Sequence, residues 1–179
     1  VKLVGVMDAD SLVSFPDFRA EERAYDMLMQ VSGRSGRKGE QGKVVIQVAD
    51  RENRVYRLVE KGSFHGFYSF LSREREMFHY PPFSRLIQIE LRHVNEYSLR
   101  NAANELARKL RERLERRVCG PAEPEVARVR KMYRIQVLIK AEQGLSLSKL
   151  KTFIRQKCDE LLKGESGKGL KVYFDVDPL

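Results

Sequence analysis

The sequence predicts an α/β protein in two parts: a short segment with parallel strands and a helix, then an α+β domain of ferredoxin-like βαββαβ order. Three observations support this prediction. Two apolar runs flank a helical period within residues 1–50, which is the pattern of a strand, a helix and a second strand. Pro81 and Pro82 interrupt the chain. Beyond them, strand-like and helical periods alternate to the end.

The first part begins with an apolar run, residues 1–7, that ends in the acidic Asp8 and Asp10. This pattern is typical of a buried parallel strand with a polar C-terminal end. A helical segment follows over residues 16–33, and a basic, glycine-rich loop separates it from a second strand-like run at 43–48. Because a buried strand needs neighbouring strands, we expect the chain to begin inside a domain.

Residues 52–78 have a helical pattern that Gly62 and Gly66 interrupt, and we interpret this stretch as a helical connector. Pro81 and Pro82 then exclude helix and favour an extended residue before them, so a domain boundary falls near residue 80. The predicted domains are 1–50, the connector 51–80 and a C-terminal domain 81–179.

The C-terminal domain begins with a strand at residues 87–91, where apolar and polar side chains alternate. Two helices and three further strands follow, in the order of a split βαβ arrangement whose helices cover one face of the sheet and leave the other free. These elements are a helix over 99–114, a hairpin of strands 127–129 and 133–139 turning at Lys131 and Met132, a helix over 147–161 and a strand over 170–176.

Charge and cysteine content narrow the function classes. Thirty-four Lys and Arg against 25 Asp and Glu give a formal charge of +9 and a pI near 9.7, which favours a polyanionic partner; a solvated basic surface is the alternative. Only Cys119 and Cys158 occur, without a CxxC pair, so no metal site is expected. No signal peptide and no apolar run near the ~20 residues of a membrane span indicate a cytoplasmic protein without a membrane partner.

The motif that carries chemistry lies at residues 30–37, which fit QxxGRxGR, the sixth motif of superfamily 2 helicases. A phosphoryl group leaving ATP spreads negative charge over oxygens that a guanidinium can meet with two parallel hydrogen bonds. Arg34 and Arg37 are therefore the candidate catalytic residues, and Gln30 and Gly33 are candidate nucleotide-binding residues. A solvated basic turn is the alternative, but it does not explain the fixed spacing.

The chain as a whole resembles the bacterial replication-restart helicases of superfamily 2. The likeness rests on that motif and on further sequence matches at 8–10, 15–19, 80–82 and 175–179, with an aromatic hairpin near Tyr133. It implies an ATP-dependent 3′ to 5′ DNA helicase that unwinds DNA at abandoned forks and helps to reload the replicative helicase. Residues 1–50 would then be the end of a RecA-like helicase lobe 2 with motifs V and VI.

Asp8 and Asp10 stand where the fifth motif of this family would be, and the resemblance makes them candidate nucleotide-binding residues. Such side chains could orient Arg34 or Arg37, or couple the nucleotide to DNA. Polar residues that end any buried strand look the same, so a purely structural role is equally open.

Other parts of such a motor are missing from the sequence. It contains no GxxxxGK[ST] loop and no DExH box, and two isolated cysteines cannot form the zinc module of the family. The resemblance therefore implies that ATP and Mg²⁺ bind in the full-length protein and that zinc belongs to an upstream module. We expect the fragment alone to bind none of them and to be inactive.

Cations on the free face of the predicted sheet are the candidate DNA contacts. If both helices cover one face, strand alternation sends these cations to the other, with Glu90, Asp175 and Asp177 opposing them. The face could bind the DNA backbone or pack on the motor lobes. The candidate DNA-binding residues are Arg128, Arg130, Arg134, Lys140 and Lys171, with Arg92, Gln136 and Tyr173 on the same face.

The resemblance also implies partners: forked or single-stranded DNA, the single-stranded DNA-binding protein and other primosome proteins. An interpretation from another class stays open at this point. The chain could be a stand-alone nucleic-acid- or protein-binding module without ATPase parentage, in which the glycine loop only grips phosphates.

Overall fold

A computed structural model describes residues 2–35 and 42–178. The chain divides into two compact units, Val1–Met77 and Phe78–Leu179, here called the first and second units. Arg37 and most of the glycine-rich loop lie outside the described residues, so its predicted contact with phosphate has no structural counterpart here.

The first unit has the predicted order of strand, helix and strand, followed by two more helices. Strands β1 and β2 are parallel, with Leu3 beside Lys43 and Val6 beside Ile46. Leu3 is 60% exposed, because β1 pairs only with β2 among the described residues. The burial of this strand by strands outside the chain stays a prediction. The elements are β1 (Leu3–Val6), α1 (Asp10–Val13), α2 (Ala20–Ser32), β2 (Lys43–Ile46), α3 (Arg54–Glu60) and α4 (Phe64–Met77).

Helix α2 begins at Ala20, four residues later than predicted from Pro16. The Asp17 carboxylate accepts the N–H of Arg19 at 3.0 Å, which holds the chain in a local turn instead of a first helical turn. Helices α3 and α4 pack with α2 in a single core that centres on a parallel ring stack between Tyr25 and Phe67, with centroids 3.9 Å apart. The segment interpreted as a connector therefore shares the core of the first unit.

Only one of the two predicted glycine breaks is present. Gly62, with φ of +58°, separates α3 from α4, whereas Gly66 lies inside α4. The hydroxyl of Ser63 accepts the N–H of Gly66 at 3.2 Å, and a Cβ at Gly66 would come within 2.8 Å of that oxygen. Glycine is therefore required there for a close approach within the helix and does not end it.

The second unit is an antiparallel sheet covered on one face by two helices. The strand order is β4–β6–β3–β7, and β5 adds a short pairing to β6. Ile87, Ile89 and Leu91 of β3 belong to one buried core with both helices. The elements are β3 (Ser84–His93), α5 (Glu96–Leu114), β4 (Val118–Ala122), β5 (Arg128–Val129), β6 (Met132–Glu142), α6 (Leu147–Lys163) and β7 (Lys171–Val176).

Both helices of the second unit confirm the predicted periods. Asn95 caps α5 by accepting the N–H of Ser98 at 2.9 Å, and Ser146 stands at the N-cap of α6. All but one of the predicted apolar positions are buried, and the exception, Leu147 at the start of α6, is partly buried. The buried positions are Leu99, Ala103, Leu106, Leu110 and Leu114 in α5, and Leu150, Ile154, Cys158 and Leu161 in α6.

The second strand of the sheet differs from the prediction. That strand was expected at 127–129, but the longer pairing with β6 is made by β4, and β5 has only two residues. The sequence of β4, Val-Cys-Gly-Pro-Ala, contains Gly120 at φ +89° and a register shift between Cys119 and Ala122, which hide the strand period. The hairpin turns at Arg130 and Lys131, both at positive φ, and Met132 already pairs with Val129.

Candidate nucleotide and nucleic-acid contacts

The nucleotide motif lies where helix α2 ends. Gln30 is in its last turn, and Gly33 caps the helix with an ordinary helical φ of −68°. The N–H of Arg34 donates to the carbonyl of Val31 at 3.1 Å, which holds the chain in one further turn. The side chains of Gln30 and Arg34 are exposed, and neither binds another described residue. They are therefore available to an external ligand.

Asp10 has protein partners for both carboxylate oxygens. One oxygen accepts the N–H of Ala49 at 2.6 Å, just beyond the end of β2, and the other accepts the hydroxyl of Tyr56 on α3 at 3.2 Å. Burial and this hydrogen bond raise the pKa of Tyr56 above its usual value. Asp10 thus ties β2 to α3, and this role needs no nucleotide.

Between the two acidic candidates and the described part of the motif, residues 30–35, the structure has no contact. Asp10 contacts the chain after β2, whereas Arg34 lies before β2 in sequence, on the far side of a stretch outside the described residues. Asp8, with φ of +51°, has an exposed side chain. Among the described residues, neither aspartate contacts Gln30, Gly33 or Arg34.

On the uncovered face of the second unit, a buried carboxylate organises two arginines. Glu90, only 7% exposed, accepts Arg92 Nε at 2.5 Å on one oxygen, and on the other Arg134 Nη2 at 2.5 Å and Gln136 Nε2 at 3.2 Å. Burial alone would raise the pKa of Glu90, but these hydrogen bonds outweigh it and hold the pKa below its usual value. Cross-strand pairing sets Arg92 beside Arg134 on one side and Lys171 on the other.

The predicted DNA-binding cations fall into different environments. Lys140 donates to the carbonyl of Phe78 at 2.6 Å and lies 3.6 Å from the ring centre of Tyr80, and burial lowers its pKa. Arg134 is held by Glu90 and by the carbonyl of Val126. These two side chains are therefore committed to protein contacts.

The placement of Arg128 and Arg130 on the uncovered face was wrong. Arg128 pairs with Tyr133 and lies 4.8 Å from its ring centre, and Tyr133 packs against the helix-covered core. Arg130 is in the hairpin turn with φ of +49°, where strand alternation does not apply. Lys171 is exposed on the predicted face, beside Arg92. Asp177, expected to oppose these cations, binds Arg85 instead, at 2.6 Å.

Several cations nevertheless gather at one end of the sheet, where β3 ends and β6 and β7 begin. There His93 binds the segment that leads into β7. Its Nδ1 accepts the N–H of Asn95 at 2.9 Å, and its Nε2 donates to the carbonyl of Lys168 at 2.9 Å. Sequence reasoning missed Lys131 and Lys168, although the hairpin turn itself could have indicated Lys131. We call this set the cationic end: Arg92, Arg128, Arg130, Lys131, Lys168 and Lys171.

A groove runs between α6 and β7 on the helix-covered side. Its apolar wall includes Phe174 and Val176 of the edge strand, both exposed, and Ile154 of α6. Lys151 and Arg155 stand along the same groove. An apolar groove with cations along it can accept an extended segment that carries acidic and apolar side chains.

Comparison with known proteins identifies the second unit. Residues 76–179, which include its whole sheet and both helices, match the family model described as the primosomal protein N C-terminal domain. The chain belongs to this family. The resemblance predicted from the sequence is confirmed, and in the family as in this chain the matched part is a C-terminal domain.

Members with the name replication restart protein PriA are similar over nearly the whole chain. The protein from Synechocystis sp. is 34% identical over 99% of the chain and 20% of its own length. The protein from Treponema pallidum is 34% identical over 100% of the chain and 27% of its own length. The protein from Bacillus subtilis is 32% identical over 99% of the chain and 22% of its own length. The chain therefore spans about a fifth to a quarter of the length of these relatives. Within residues 2–35 and 42–178, no helix has the length and apolar character to cross a bilayer.

Proposed function

We propose that this chain is the C-terminal part of an ATP-dependent DNA helicase that acts in replication restart and primosome assembly. In this proposal residues 1–50 end a RecA-like lobe, the helices of 51–77 complete the core of the same unit, and 81–179 form a ferredoxin-like domain. The names of the relatives support a role in replication restart. The parallel pairing of β1 and β2 around α2 supports a RecA-like lobe. The βαββαβ order, with β3 and β6 central, supports the ferredoxin-like domain.

The observation that carries the nucleotide part is the exposed Arg34 at the end of α2. Its guanidinium, with Gln30 one turn earlier, suits a phosphate, whereas Asp10 does not fit because its oxygens hold Ala49 and Tyr56. ATP with Mg²⁺ would supply the phosphoryl group, held by residues outside this chain, and zinc would belong to another module. Arg34 and Arg37 would stabilise the charge on the phosphate oxygens.

Arg34→Ala in the full-length protein tests this. We expect DNA-stimulated ATP hydrolysis to fall roughly a thousandfold while nucleotide binding stays measurable, because the lost contact belongs to the transition state. Arg73→Ala, which removes an exposed arginine of α4, is the matched control and should hydrolyse ATP normally. Near-normal turnover of Arg34→Ala would contradict the proposed role.

The DNA part of the proposal rests on the cationic end. Arg130, Lys131 and Lys171 are exposed and make no ion pair with a described residue, so all three can meet phosphates without losing a protein contact. Phosphate contacts of this kind bind backbone regardless of sequence. Arg134 and Lys140, which the sequence placed among the DNA contacts, serve the fold instead.

A salt series with fork DNA tests this interface. Arg130→Ala and Lys171→Ala should each weaken binding and reduce the salt slope by about one. Arg116→Ala is the control, because it removes the same charge at a place away from the cationic end. Arg116 lies just before β4, and Val118 of β4 pairs with Ile139, toward the opposite end of β6. Equal slopes for all three variants would place the DNA elsewhere.

The groove between α6 and β7 supports a protein partner, and the single-stranded DNA-binding protein of the primosome is the one proposed. Arg155→Glu would reverse one charge beside Phe174 and Val176. It should abolish binding of that protein, measured by titration calorimetry, and leave DNA affinity unchanged. If Arg155→Glu lost both DNA binding and binding of that protein, the groove would not be a site separate from the DNA interface.

A further inference from the structure

At the cationic end, a fixed cation lies over the face of an aromatic ring. The guanidinium carbon of Arg92 is 4.4 Å from the ring centre of Tyr173. Tyr173 belongs to β7, the edge strand of the sheet, and is 44% exposed. On the same face, Lys171 pairs directly across from Arg92. One small patch thus offers a solvated ring and two cations.

Glu90 holds this patch in place. It binds Arg92 through Nε alone, so the two terminal nitrogens of Arg92 bind no described residue and keep their donors for an external acceptor. Glu90 is also the cross-strand partner of Tyr173, and the guanidinium that it anchors lies over the Tyr173 ring. An arginine already fixed in this way loses little conformational freedom when it binds a phosphate.

We propose that Tyr173, Arg92 and Lys171 form a site for one unpaired nucleotide of single-stranded DNA. The base stacks on the face of the Tyr173 ring opposite Arg92, and its phosphate accepts hydrogen bonds from Arg92 and Lys171. This proposal rests on the proposed DNA contact and goes beyond it, because it selects single strand over duplex. In a duplex the base faces are stacked on one another, so an exposed ring has no base to bind and only the cations act.

The test uses the 179-residue chain with two labelled probes, an oligothymidylate and a blunt duplex of equal length. Tyr173→Ala should weaken oligothymidylate binding by roughly 5- to 100-fold and leave duplex affinity within about twofold, whereas Tyr173→Phe should bind like the parent. Tyr97→Ala, which removes a tyrosine 74% exposed on α5, is the control and should change neither affinity.

A stacking readout separates the ring from general electrostatics. An oligothymidylate with a single 2-aminopurine should lose fluorescence on binding to the parent and to Tyr173→Phe, and keep it with Tyr173→Ala at saturation. Equal loss of both affinities, or unchanged quenching in folded Tyr173→Ala, would overturn the single-nucleotide site. If Arg130→Ala and Lys171→Ala leave duplex binding unchanged, the proposed DNA interface itself fails, which is a distinct result.

Discussion

Arg134 approaches Glu90 from the neighbouring strand with two nitrogens on one oxygen: Nη2 lies 2.5 Å and Nε 3.1 Å from Oε2. Arg92 takes the other oxygen, so one buried carboxylate binds two guanidiniums in adjacent strands. Without it, two like charges would face each other across β3 and β6, because Arg92 and Arg134 are direct cross-strand partners. Glu90 is therefore the counter-charge on which this face of the sheet depends.

Glu90→Gln should destabilise the second unit by about 2 kcal/mol, since it leaves two partly buried guanidiniums without their carboxylate. The depressed pKa of Glu90 means that its contribution is present above the pKa of an unfolded glutamate and is lost as pH falls through the folded value. Urea unfolding at pH 7 and below pH 4 should show the difference from the parent shrinking in acid. Glu112→Gln, which removes the exposed helical ion pair with Arg108, is the control with a loss below about 0.5 kcal/mol.

Glu21 should give the opposite pH dependence. Burial, together with the neighbouring Glu74, raises its pKa to about 7. Its contribution to stability is therefore complete below the unfolded value and is lost as pH rises through 7. Glu21→Gln should stabilise the first unit at pH 8 by on the order of 1 kcal/mol, after screening at a half-exposed site, and have little effect at pH 4.

Thermal unfolding of the parent and Glu21→Gln at both pH values measures this. Glu60→Gln, an exposed glutamate at the end of α3, serves as control and should follow the parent at each pH. A Glu21→Gln variant that is less stable than the parent at pH 8 would show that the ionised carboxylate has a favourable partner.

Asp10→Ala should cost about 2 kcal/mol, because it leaves the N–H of Ala49 and the buried hydroxyl of Tyr56 without their acceptor. Chemical unfolding of the 179-residue chain measures it, with Asp26→Ala on the exposed face of α2 as the control. Unchanged stability, combined with lost nucleotide affinity in the full-length protein, would return Asp10 to the nucleotide site.

Gly169→Ala should destabilise the second unit by about 2 kcal/mol. Its φ of +73° strains an alanine, and the added Cβ would meet His93 Nε2 at 3.0 Å, where the imidazole is held by hydrogen bonds at both nitrogens. Gly144→Ala isolates the strain, because Gly144 also has a positive φ but open space around it. Equal losses for the two variants would mean that His93 moves aside at no cost.

Sequence reasoning succeeded where one period dominates. The predicted apolar positions of α5 and α6 recur every three or four residues, and all but the partly buried Leu147 are buried. It failed at β4, where Gly120 and Pro121 erase the strand period and pairing with β6 supplies the structure. Arg128 was misplaced because the alternation of β6 does not continue through the hairpin turn. Pairing across the turn sets Arg128 beside Tyr133, which packs against the helix-covered core.

The site showed the same division between local and long-range information. The QxxGRxGR spacing located Gln30 and Arg34 on exposed positions, which is local information. That Asp10 would bind Tyr56, 46 residues later, could not be read from spacing, because such a contact depends on how α3 packs. Likewise, nothing in the sequence marked Arg134 as the partner of Glu90, 44 residues earlier in the chain.

The contact between Lys140 and residues 78–80 sets the N-terminal limit of a stable truncation of this protein. Two more side chains bind the same segment. Gln143 donates a hydrogen bond to the carbonyl of Pro82 at 3.1 Å, and the Ser84 hydroxyl donates one to the carbonyl of His79 at 2.6 Å. A piece trimmed to the first residue of β3 would strip acceptors from all three side chains and leave a half-buried ammonium without a partner. The smallest piece that keeps the sheet intact therefore starts at Phe78, six residues before its first strand.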